Sequence, residues 1–203
     1  MTGLARSGKD HAANYLAKHM NLHKYAFAEP LKTMLKSVFG DHFHEGDRSG
    51  ICPETGKSYR EMMQTLGTEW GRQLMDENVW VNLVNRRWGE VEAGCHLVNE
   101  YKDYKGHHAK LAEGMILSDV RFDSEAQWIR DHGGVILEVV RPVHHTVTEN
   151  IKKQLGMTVG IPGHQSEKGI SRAGITHTLL NDGTLVDFDI KLMGLVDELL
   201  GRD

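Results

Sequence analysis

The sequence lacks a long apolar run, has few cysteines and carries no excess of positive charge. No stretch of about 18 apolar residues occurs, so we expect no membrane-spanning helix. Cys52 and Cys95 are the only cysteines, which favours a reducing compartment over a disulfide framework. The formal net charge is −4, so overall basicity does not indicate a nucleic acid polymer as partner. Because Arg6, Lys9 and Asp10 rule out a signal peptide, we expect a cytoplasmic protein.

Two signatures of common enzyme and metal sites are also missing. The sequence has no G-x-S-x-G nucleophile elbow, which disfavours hydrolysis through an activated serine. Thirteen histidines invite a metal interpretation, and D-H-F-H at 41–44 with Cys52 comes nearest to a zinc site. No second cysteine pair supplies the usual spacing, so a zinc centre is disfavoured.

A glycine loop of the phosphate-binding type stands at the start of the sequence. Residues 3–9 are G-L-A-R-S-G-K, a spacing that lets backbone N–H groups wrap phosphate oxygens at the beginning of a helix. Lys9 would add a mobile positive charge for the β- and γ-phosphates. Asp10 stands where a Ser or Thr usually holds Mg²⁺, and His11 supplies no hydroxyl either. A glycine turn before an ordinary helix is the alternative interpretation of this motif alone.

Two further motifs carry candidate site residues. Asp119 ends the apolar run MILSD and could hold Mg²⁺ or orient a hydroxyl, with Arg121 at the same rim; the alternative is an aspartate that caps the next turn. In QTLGTEWGRQLMDENVW (64–80), Gly67 and Gly71 leave a bare helix face that a ring or backbone could approach. Arg72 could bind a phosphate with its fork, and a tryptophan could stack on a base. The alternative there is an amphipathic helix with a core tryptophan and a solvated Arg72.

Alternating helix and strand patterns predict an α/β protein with a parallel sheet. The predicted helices are 9–19, 30–39, 58–75, 79–92, 124–132 and 184–200, and the predicted strands are 23–28, 115–119, 135–140 and 176–180. Residues 99–113 are expected to form an exposed excursion, and 143–175 a mobile segment around a helix near 146–155. Ligands bind at the carboxyl ends of strands in such sheets, which places Glu29, Asp119, Arg121, Arg141 and Asn181 near one rim.

Several arginines are expected at or beside this rim, and the sequence offers no Ser-His-Asp array. They are Arg6, Arg72, Arg121, Arg141 and Arg172. Phosphoryl transfer depends on positioning and charge neutralisation more than on covalent chemistry. A phosphate acceptor, with a second pKa of about 6, is largely a dianion at pH 7 and needs no strong base. The arginine-rich rim therefore favours transfer to a phosphate over hydrolysis.

The set of motifs, taken in order, resembles the phage-type deoxynucleoside monophosphate kinases, P-loop proteins related in architecture to adenylate kinase. The matching stretches are GLARSGKD (3–10), FAEPLK (27–32), REMMQTLGTEWGR (60–72), ENVW (77–80), ILSDVRFDSEA (116–126), GGVILEVVRP (133–142), HQSE (164–167) and LLNDGTL (179–185). They span nearly the whole chain, and the ordered set is more specific than any single motif. In that family an Asp after Gly-Lys is a familiar variant, so Asp10 is compatible with a phosphate loop.

The resemblance implies a fold, a reaction and a set of site residues. The fold would be three-layer α/β of the P-loop NTPase type, a parallel sheet flanked by helices. It would form one kinase domain over 1–203, with an acceptor-binding helical region at about 30–92 and a lid at about 143–175. The reaction would use ATP and Mg²⁺ to convert a deoxynucleoside monophosphate to its diphosphate. The partners would be small-molecule nucleotides, namely ATP and the deoxynucleoside monophosphate, with no nucleic acid polymer and no membrane, and a homodimer is compatible with the sequence.

The implied residues fall into four sets. The catalytic set is Lys9, Asp10, Asp119, Arg121 and Arg141. The ATP-binding set is Gly3, Leu4, Ala5, Arg6, Ser7, Gly8, Lys9, Asp10, Arg141, Asn181, Asp182 and Gly183. The acceptor-binding set is Phe27, Lys32, Gln64, Thr68, Glu69, Trp70, Arg72, Trp80, Asp119, Arg121 and Glu125. Asp10 and Asp119 would hold Mg²⁺, directly or through water, and Arg172 could swing in with the lid.

Two alternatives and one departure stay open at this stage. The alternatives are a P-loop kinase with another small acceptor, such as dephospho-coenzyme A, and a nucleotide-binding relative without catalysis. The departure is the apolar strand that normally precedes the glycine loop, which here is reduced to Met1 and Thr2. Either translation starts upstream of residue 1 or the sheet lacks much of its middle strand, and we expect the upstream start.

Overall fold

A computed structural model describes residues 1–4, 6–40, 50–103, 106–142 and 161–201. Three expectations lie wholly or partly outside these ranges: Ala5 of the glycine loop, the D-H-F-H stretch at 41–44, and residues 143–160 of the expected lid with its helix. The chain divides into two units. The first comprises Met1–Ala26, Val81–Pro142 and Gly169–Asp203, and the second comprises Phe27–Trp80 and Val143–Lys168.

The secondary structure alternates helices and short strands. In chain order the elements are α1 (Lys9–His19), β1 (Leu22–Tyr25), α2 (Glu29–Phe39), α3 (Tyr59–Gln64), a π-helix (Thr65–Met75), α4 (Val79–Glu92), β2 (Leu97–Asp103), β3 (Gly106–Leu111), β4 (Gly114–Leu117), α5 (Asp123–Asp131), β5 (Leu137–Val140), two 3₁₀ turns (Gln165–Glu167 and Arg172–Gly174), β6 (His177–Leu180) and α6 (Leu185–Leu200). The α/β class is thereby confirmed.

Parallel strand pairs form the sheet structure of the first unit. β1 pairs with β4 from Leu22↔Gly114 to Tyr25↔Leu117, and β5 pairs with β6 from Leu137↔His177 to Val140↔Leu180. Met1 and Thr2 lie between these pairs. The Met1 carbonyl accepts from Val120 N at 3.0 Å, while Thr2 forms a parallel bridge with Glu138. The spatial order is therefore β1, β4, residues 1–2, β5, β6.

An apolar cavity of about 330 Å³ lies beside Met1 in the first unit. Strand residues Ile116 and Leu137 line it, together with Trp128 of α5 and Leu195 of α6. The Met1 ammonium is buried at this place and donates to the Leu117 carbonyl. Burial lowers the pKa of this ammonium from 8.0 to about 5, because the charged form loses its hydration.

Helix periodicity explains the core of the first unit. Ala12, Ala13 and Leu16 form the buried face of α1. In α6 the buried residues are Phe188, Leu192, Leu195 and Val196, at helical spacing. These two helices pack with strand residues such as Val139 into one cluster.

The predicted helix limits agree well with the structure where a capping signal exists. The Thr184 Oγ1 accepts from Asp187 N at 3.2 Å, and the Asp187 carboxylate accepts from Thr184 N at 2.8 Å, closing a capping box on α6. At Ser58 the hydroxyl oxygen accepts from Glu61 N at 3.1 Å, starting α3. Both caps join residues only three positions apart, so a local sequence pattern is enough to form them.

Other limits differ from the predictions. The helix predicted for 58–75 is α-helical only to Gln64 and continues as a π-helix from Thr65. The strand predicted for 23–28 ends at Tyr25. Leu97–Asp103 and Gly106–Leu111 pair as the antiparallel strands β2 and β3 within the stretch predicted to form an exposed excursion, and no strand was predicted there. Polar residues with weak periodicity can still pair through their backbones. Within the described ranges, no helix combines the length and apolar character that crossing a bilayer requires.

The second unit is mainly helical. Its core cluster contains Leu35 of α2, Cys52, and Tyr59 and Met62 of α3. Cys52 is fully buried and reduced. The π-helix follows α3 directly and carries buried Gly67, Thr68, Gly71 and Arg72 along it.

Candidate active site

Two glycines shape the loop that precedes α1. Gly3 has a φ of 137°, and a Cβ there would lie 2.4 Å from the Val139 carbonyl oxygen. Gly8 has a φ of 101°, and a Cβ there would lie 2.5 Å from Asn181 Nδ2. Both positions therefore require glycine, for the backbone conformation and for the space. The two glycines of the G-L-A-R-S-G-K motif thus stand where the loop needs them.

Polar contacts hold the loop at the positive end of α1. Asn181 Nδ2 donates to the Ser7 carbonyl at 2.9 Å, and Lys9 Nζ donates to the Leu4 carbonyl at 3.3 Å. Arg6 is exposed and takes a left-handed φ of 62°. Lys9 begins α1, and Asp10 is exposed in its first turn. The arrangement presents a helix N-terminus with an adjacent lysine, which is a suitable place for an anion.

The residues after β6 continue this part of the first unit. Asn181 N donates to the Val140 carbonyl at 2.7 Å, so the loop 181–183 starts next to the end of β5. Lys191 Nζ lies 2.6 Å from Asp182 Oδ1, and this hydrogen bond holds the pKa of Asp182 below its usual range. Gly183 leads into the capped start of α6. The three residues predicted to border the adenine are thus next to the glycine loop.

Asp119, Arg121 and Glu125 occupy the turn between β4 and α5. Glu125 is 3 % exposed, and its Oε2 accepts from Arg121 N at 2.7 Å and from Phe122 N at 3.2 Å. Asp119 and Glu125 both lie close enough to Met1 to raise the pKa of its ammonium against the larger effect of burial, whereas Lys9 lowers it. Lys9, Asp119 and Glu125 therefore each lie within electrostatic range of the Met1 ammonium.

The residues predicted for the acceptor pocket belong to the second unit, apart from those on the β4–α5 turn. Phe27, Gln64, Thr68 and Arg72 are buried, and Arg72 Nη1 donates to the Glu77 carbonyl at 2.9 Å. Lys32 lies 3.5 Å from Glu29, one turn earlier on α2.

The two tryptophans of this region differ in exposure. Trp70 is 38 % exposed, while Arg72 on the same helix is 8 % exposed. This reverses the alternative of a core Trp70 with a solvated Arg72. Trp80 is buried: its Nε1 donates to the Gly67 carbonyl at 2.7 Å, and its ring faces Gly71. The bare glycine face is thus covered by a flat ring of the chain itself.

Comparisons with known proteins give the same assignment throughout. A family model described as deoxynucleotide monophosphate kinase matches residues 1–55. A protein of Acanthamoeba polyphaga mimivirus, named as a deoxynucleotide monophosphate kinase, is 30% identical over 144 residues, covering 67% of this chain and 69% of its own length. The deoxynucleoside-5′-monophosphate kinase of Escherichia phage T5 is 28% identical over 129 residues, covering 61% of this chain and 39% of its own.

The chain belongs to the deoxynucleotide monophosphate kinase family. The resemblance stated from the ordered motifs is thereby confirmed, and the relatives are viral, as a phage-type sequence suggests. The T5 enzyme is the longer protein, of which this chain matches well under half.

Some predicted residues of this family member are not joined to the others by the structure. Arg141 directly follows β5 and is exposed, next to Pro142, where a described range ends. Arg172 begins the short 3₁₀ turn Arg172–Gly174 of the first unit. Their roles stay predictions.

Residues Ile161–Glu167 lie within the lid expected at about 143–175, and no contact of their individual side chains was predicted. The structure joins them to Gln64 and Glu69 in the second unit, through His164 and Glu167. The available signal was the H-Q-S-E stretch, in which a short polar turn carries a histidine that is 6 % exposed. A buried histidine cannot be distinguished from a solvated one by sequence alone.

Proposed function

We propose that this protein transfers the γ-phosphoryl group of ATP to the phosphate of a deoxynucleoside monophosphate, forming ADP and the diphosphate. The observation that carries the proposal is the glycine loop, in which Gly3 and Gly8 have no room for a side chain and Lys9 begins α1. Such a loop suits the phosphates of a nucleotide. Family membership supplies the acceptor class and makes the two alternatives, another small acceptor and an inactive relative, less favoured.

The donor phosphates would bind residues 3–10, including Ala5, with Lys9 neutralising charge on the transferred group. Arg121 and Arg141 would neutralise charge that develops between donor and acceptor. Asn181, Asp182 and Gly183 would border the adenine.

The acceptor would bind mainly through the second unit. Trp70 offers exposed aromatic surface for the base region, and Phe27 and Trp80 would support the pocket from buried positions. Lys32 and Arg72 offer positive charge for the phosphate. Thr68 and Glu69 offer hydrogen-bonding groups for the sugar and base, and Gln64 would line the pocket with its amide bound to Ile161 and Glu167. On the β4–α5 turn, Asp119, Arg121 and Glu125 would complete the set. Because the acceptor phosphate is largely ionised at pH 7, no general base is required.

Mg²⁺ is the metal that this chemistry implies. Among the described residues, no group of three or more His, Cys, Asp or Glu could hold a metal ion by itself. The carboxylates of Asp10 and Asp119 would suit Mg²⁺, which typically takes one or two carboxylates and completes its shell with phosphates and water. Asp10 and Asp119 would hold it, and when bound the ion would neutralise charge on the β- and γ-phosphates.

The finer architecture follows the same proposal. The spatial order of strands is that of a parallel sheet with residues 1–2 in its middle, and we assign it to the three-layer P-loop NTPase type with helices on both faces. Residues 143–175 would act as a lid that excludes water and so prevents wasteful hydrolysis of ATP. We place the reaction in the cytoplasm, with free nucleotides as partners.

The test is ADP release coupled to an optical readout, with ATP, Mg²⁺ and each deoxynucleoside monophosphate in turn. We expect at least one of them to stimulate ATP turnover well above background, and dephospho-coenzyme A to give none. If no monophosphate does so with folded protein, the proposal fails.

Substitutions on the donor side sharpen this test. Lys9→Ala and Arg121→Ala should each lower kcat/KM about 1,000-fold or more, on the order of 4 kcal/mol for an essential charge. Lys18→Ala, at the exposed last turn of the same helix α1, is the matched control and should stay within about twofold of wild type. Kinetics like wild type in Lys9→Ala or Arg121→Ala would remove that residue from its proposed role.

A further inference from the structure

Residues Ile161–Glu167 are attached to the acceptor helices through polar side chains of the second unit. Gln64 is 6 % exposed, and its Oε1 accepts from Ile161 N at 2.7 Å while its Nε2 donates to Glu167 Oε1 at 3.1 Å. Arg60 Nη2 lies 2.6 Å from Glu167 Oε2. A buried amide that uses both of its ends, next to an ion pair, fixes the segment to α3 in a single register.

His164 extends this attachment to the π-helix. Its imidazole side chain is 4 % exposed. Nδ1 accepts from Ser166 N at 3.2 Å and lies 2.8 Å from Ser166 Oγ, so the ring proton belongs on Nε2. Nε2 lies 3.1 Å from Glu69 Oε1 and donates to it. The Ser166 turn thus selects the tautomer that points a proton at the Glu69 carboxylate.

This contact leaves the second oxygen of the same carboxylate in an unusual position. Glu69 Oε2 is buried and has no hydrogen-bond partner among the described residues, although the side chain as a whole is 40 % exposed. Leaving a buried carboxylate oxygen without a hydrogen-bond donor costs more free energy than a typical single hydrogen bond contributes. Such an atom therefore calls for an explanation. Because His164 holds Oε1, the orientation of the carboxylate, and with it the position of Oε2, is fixed.

We propose that Glu69 Oε2 accepts a hydrogen bond from the neutral end of the acceptor nucleotide, and that His164 is the positioning residue that aims it. The inference rests on the proposed function. A carboxylate repels the phosphate of the nucleotide, so it can serve only the part that carries N–H or O–H donors. Those donors are the 3′-hydroxyl of the sugar and the N–H groups of the base. His164 acts through Glu69 and touches no substrate itself.

The experiment measures the KM for the deoxynucleoside monophosphate, the KM for ATP and kcat in the full chain. Losing one charge-assisted hydrogen bond corresponds to about a 10- to 100-fold change in affinity. We expect His164→Ala to raise the KM for the monophosphate by about that factor, with kcat and the KM for ATP within about threefold of wild type. His164→Gln can still donate from its amide and should restore most of the affinity. Gln165→Ala, an exposed neighbour on the same turn, is the matched control.

A double substitution separates positioning from general damage to the fold. If His164 acts through Glu69, the His164→Ala, Glu69→Ala double variant should be no worse than Glu69→Ala alone. Effects that multiply, a kcat loss without a change in KM, or no rescue by glutamine would each overturn the proposal. If His164→Ala lowers the melting temperature strongly, the KM comparison uses His164→Gln instead. ATP binding, which we assign to the first unit, then checks that the variant is folded.

Two further arms identify the donor and separate this inference from the proposed function. A monophosphate lacking the 3′-hydroxyl binds like its parent if the base supplies the donor, and loses the Glu69-dependent part of its affinity if the sugar does. Direct titration with the monophosphate alone completes the design. Binding by wild type without turnover would refute the kinase proposal, and the His164→Ala binding ratio would then decide this inference. No binding of any monophosphate would refute both.

Discussion

Replacing Gly71 with alanine tests the close packing of Trp80 on the π-helix. A Cβ at position 71 would lie 2.3 Å from Trp80 Cζ2, 2.7 Å from Cε2 and 2.9 Å from Nε1. These are atoms of a rigid ring, and ordinary contacts begin near 3.4 Å. The ring must therefore shift by roughly 1 Å, and Trp80 is only 4 % exposed, so it has little room to do so.

The expected cost combines two terms and one offset. Overpacking of this kind costs about 1–3 kcal/mol. The shift also strains the 2.7 Å hydrogen bond from Trp80 Nε1 to the Gly67 carbonyl, and losing it while both groups are buried costs about 1–3 kcal/mol more. Alanine gains up to about 1 kcal/mol over glycine in helix propensity. We expect a net loss of about 1–5 kcal/mol in the free energy of unfolding.

Urea unfolding followed by tryptophan fluorescence and by circular dichroism measures this change. Gly67→Ala is the first control, since its Cβ would meet only the flexible tip of Leu31, at 3.0 Å, and should change stability by less than about 1 kcal/mol. Gly89→Ala in α4 has open space around its Cβ and should stabilise by up to about 1 kcal/mol. A Gly71→Ala protein as stable as wild type would refute the packing argument.

The first unit supplies one further prediction about stability. Glu125→Gln should lower the free energy of unfolding, measured in urea, by about 1–3 kcal/mol. The charged Glu125 Oε2 accepts from both Arg121 N and Phe122 N, and a neutral amide oxygen in its place accepts these two hydrogen bonds more weakly. Asp131→Asn on the exposed end of the same helix is its control and should stay within about 0.5 kcal/mol; equal losses in both would contradict the argument.

Local signals made much of the fold predictable. The helix 9–19 is found with the predicted limits, and the caps at Ser58 and Thr184 form as their spacing indicates. These features depend on residues within one or two helical turns. The switch to a π-helix at Thr65 has no such signal, because the register of the backbone hydrogen bonds there is a matter of packing.

The candidate site was predictable in composition and much less so in contacts. The glycine loop and Asp119 were predicted to lie at one rim, and Lys9 and Asp119 each act electrostatically on the Met1 ammonium. The sequence did not indicate that Glu125 turns its carboxylate onto the backbone of Arg121 and Phe122. It also left open which of Trp70 and Arg72 is buried, since both lie on one helix and either face could turn inward.

The sequence by itself determined most of the helices, the four strands of the two parallel pairs, the glycines of the phosphate loop and the family, because these follow from local spacing and from ordered motifs. Only the tertiary structure decided that Trp80 covers the glycine face, that Met1 and Thr2 lie between β4 and β5, and that His164 directs a proton at Glu69. The residues in these contacts lie far apart in the sequence, in one case by more than a hundred positions. Their geometry is set by how whole elements pack, and no local pattern records it.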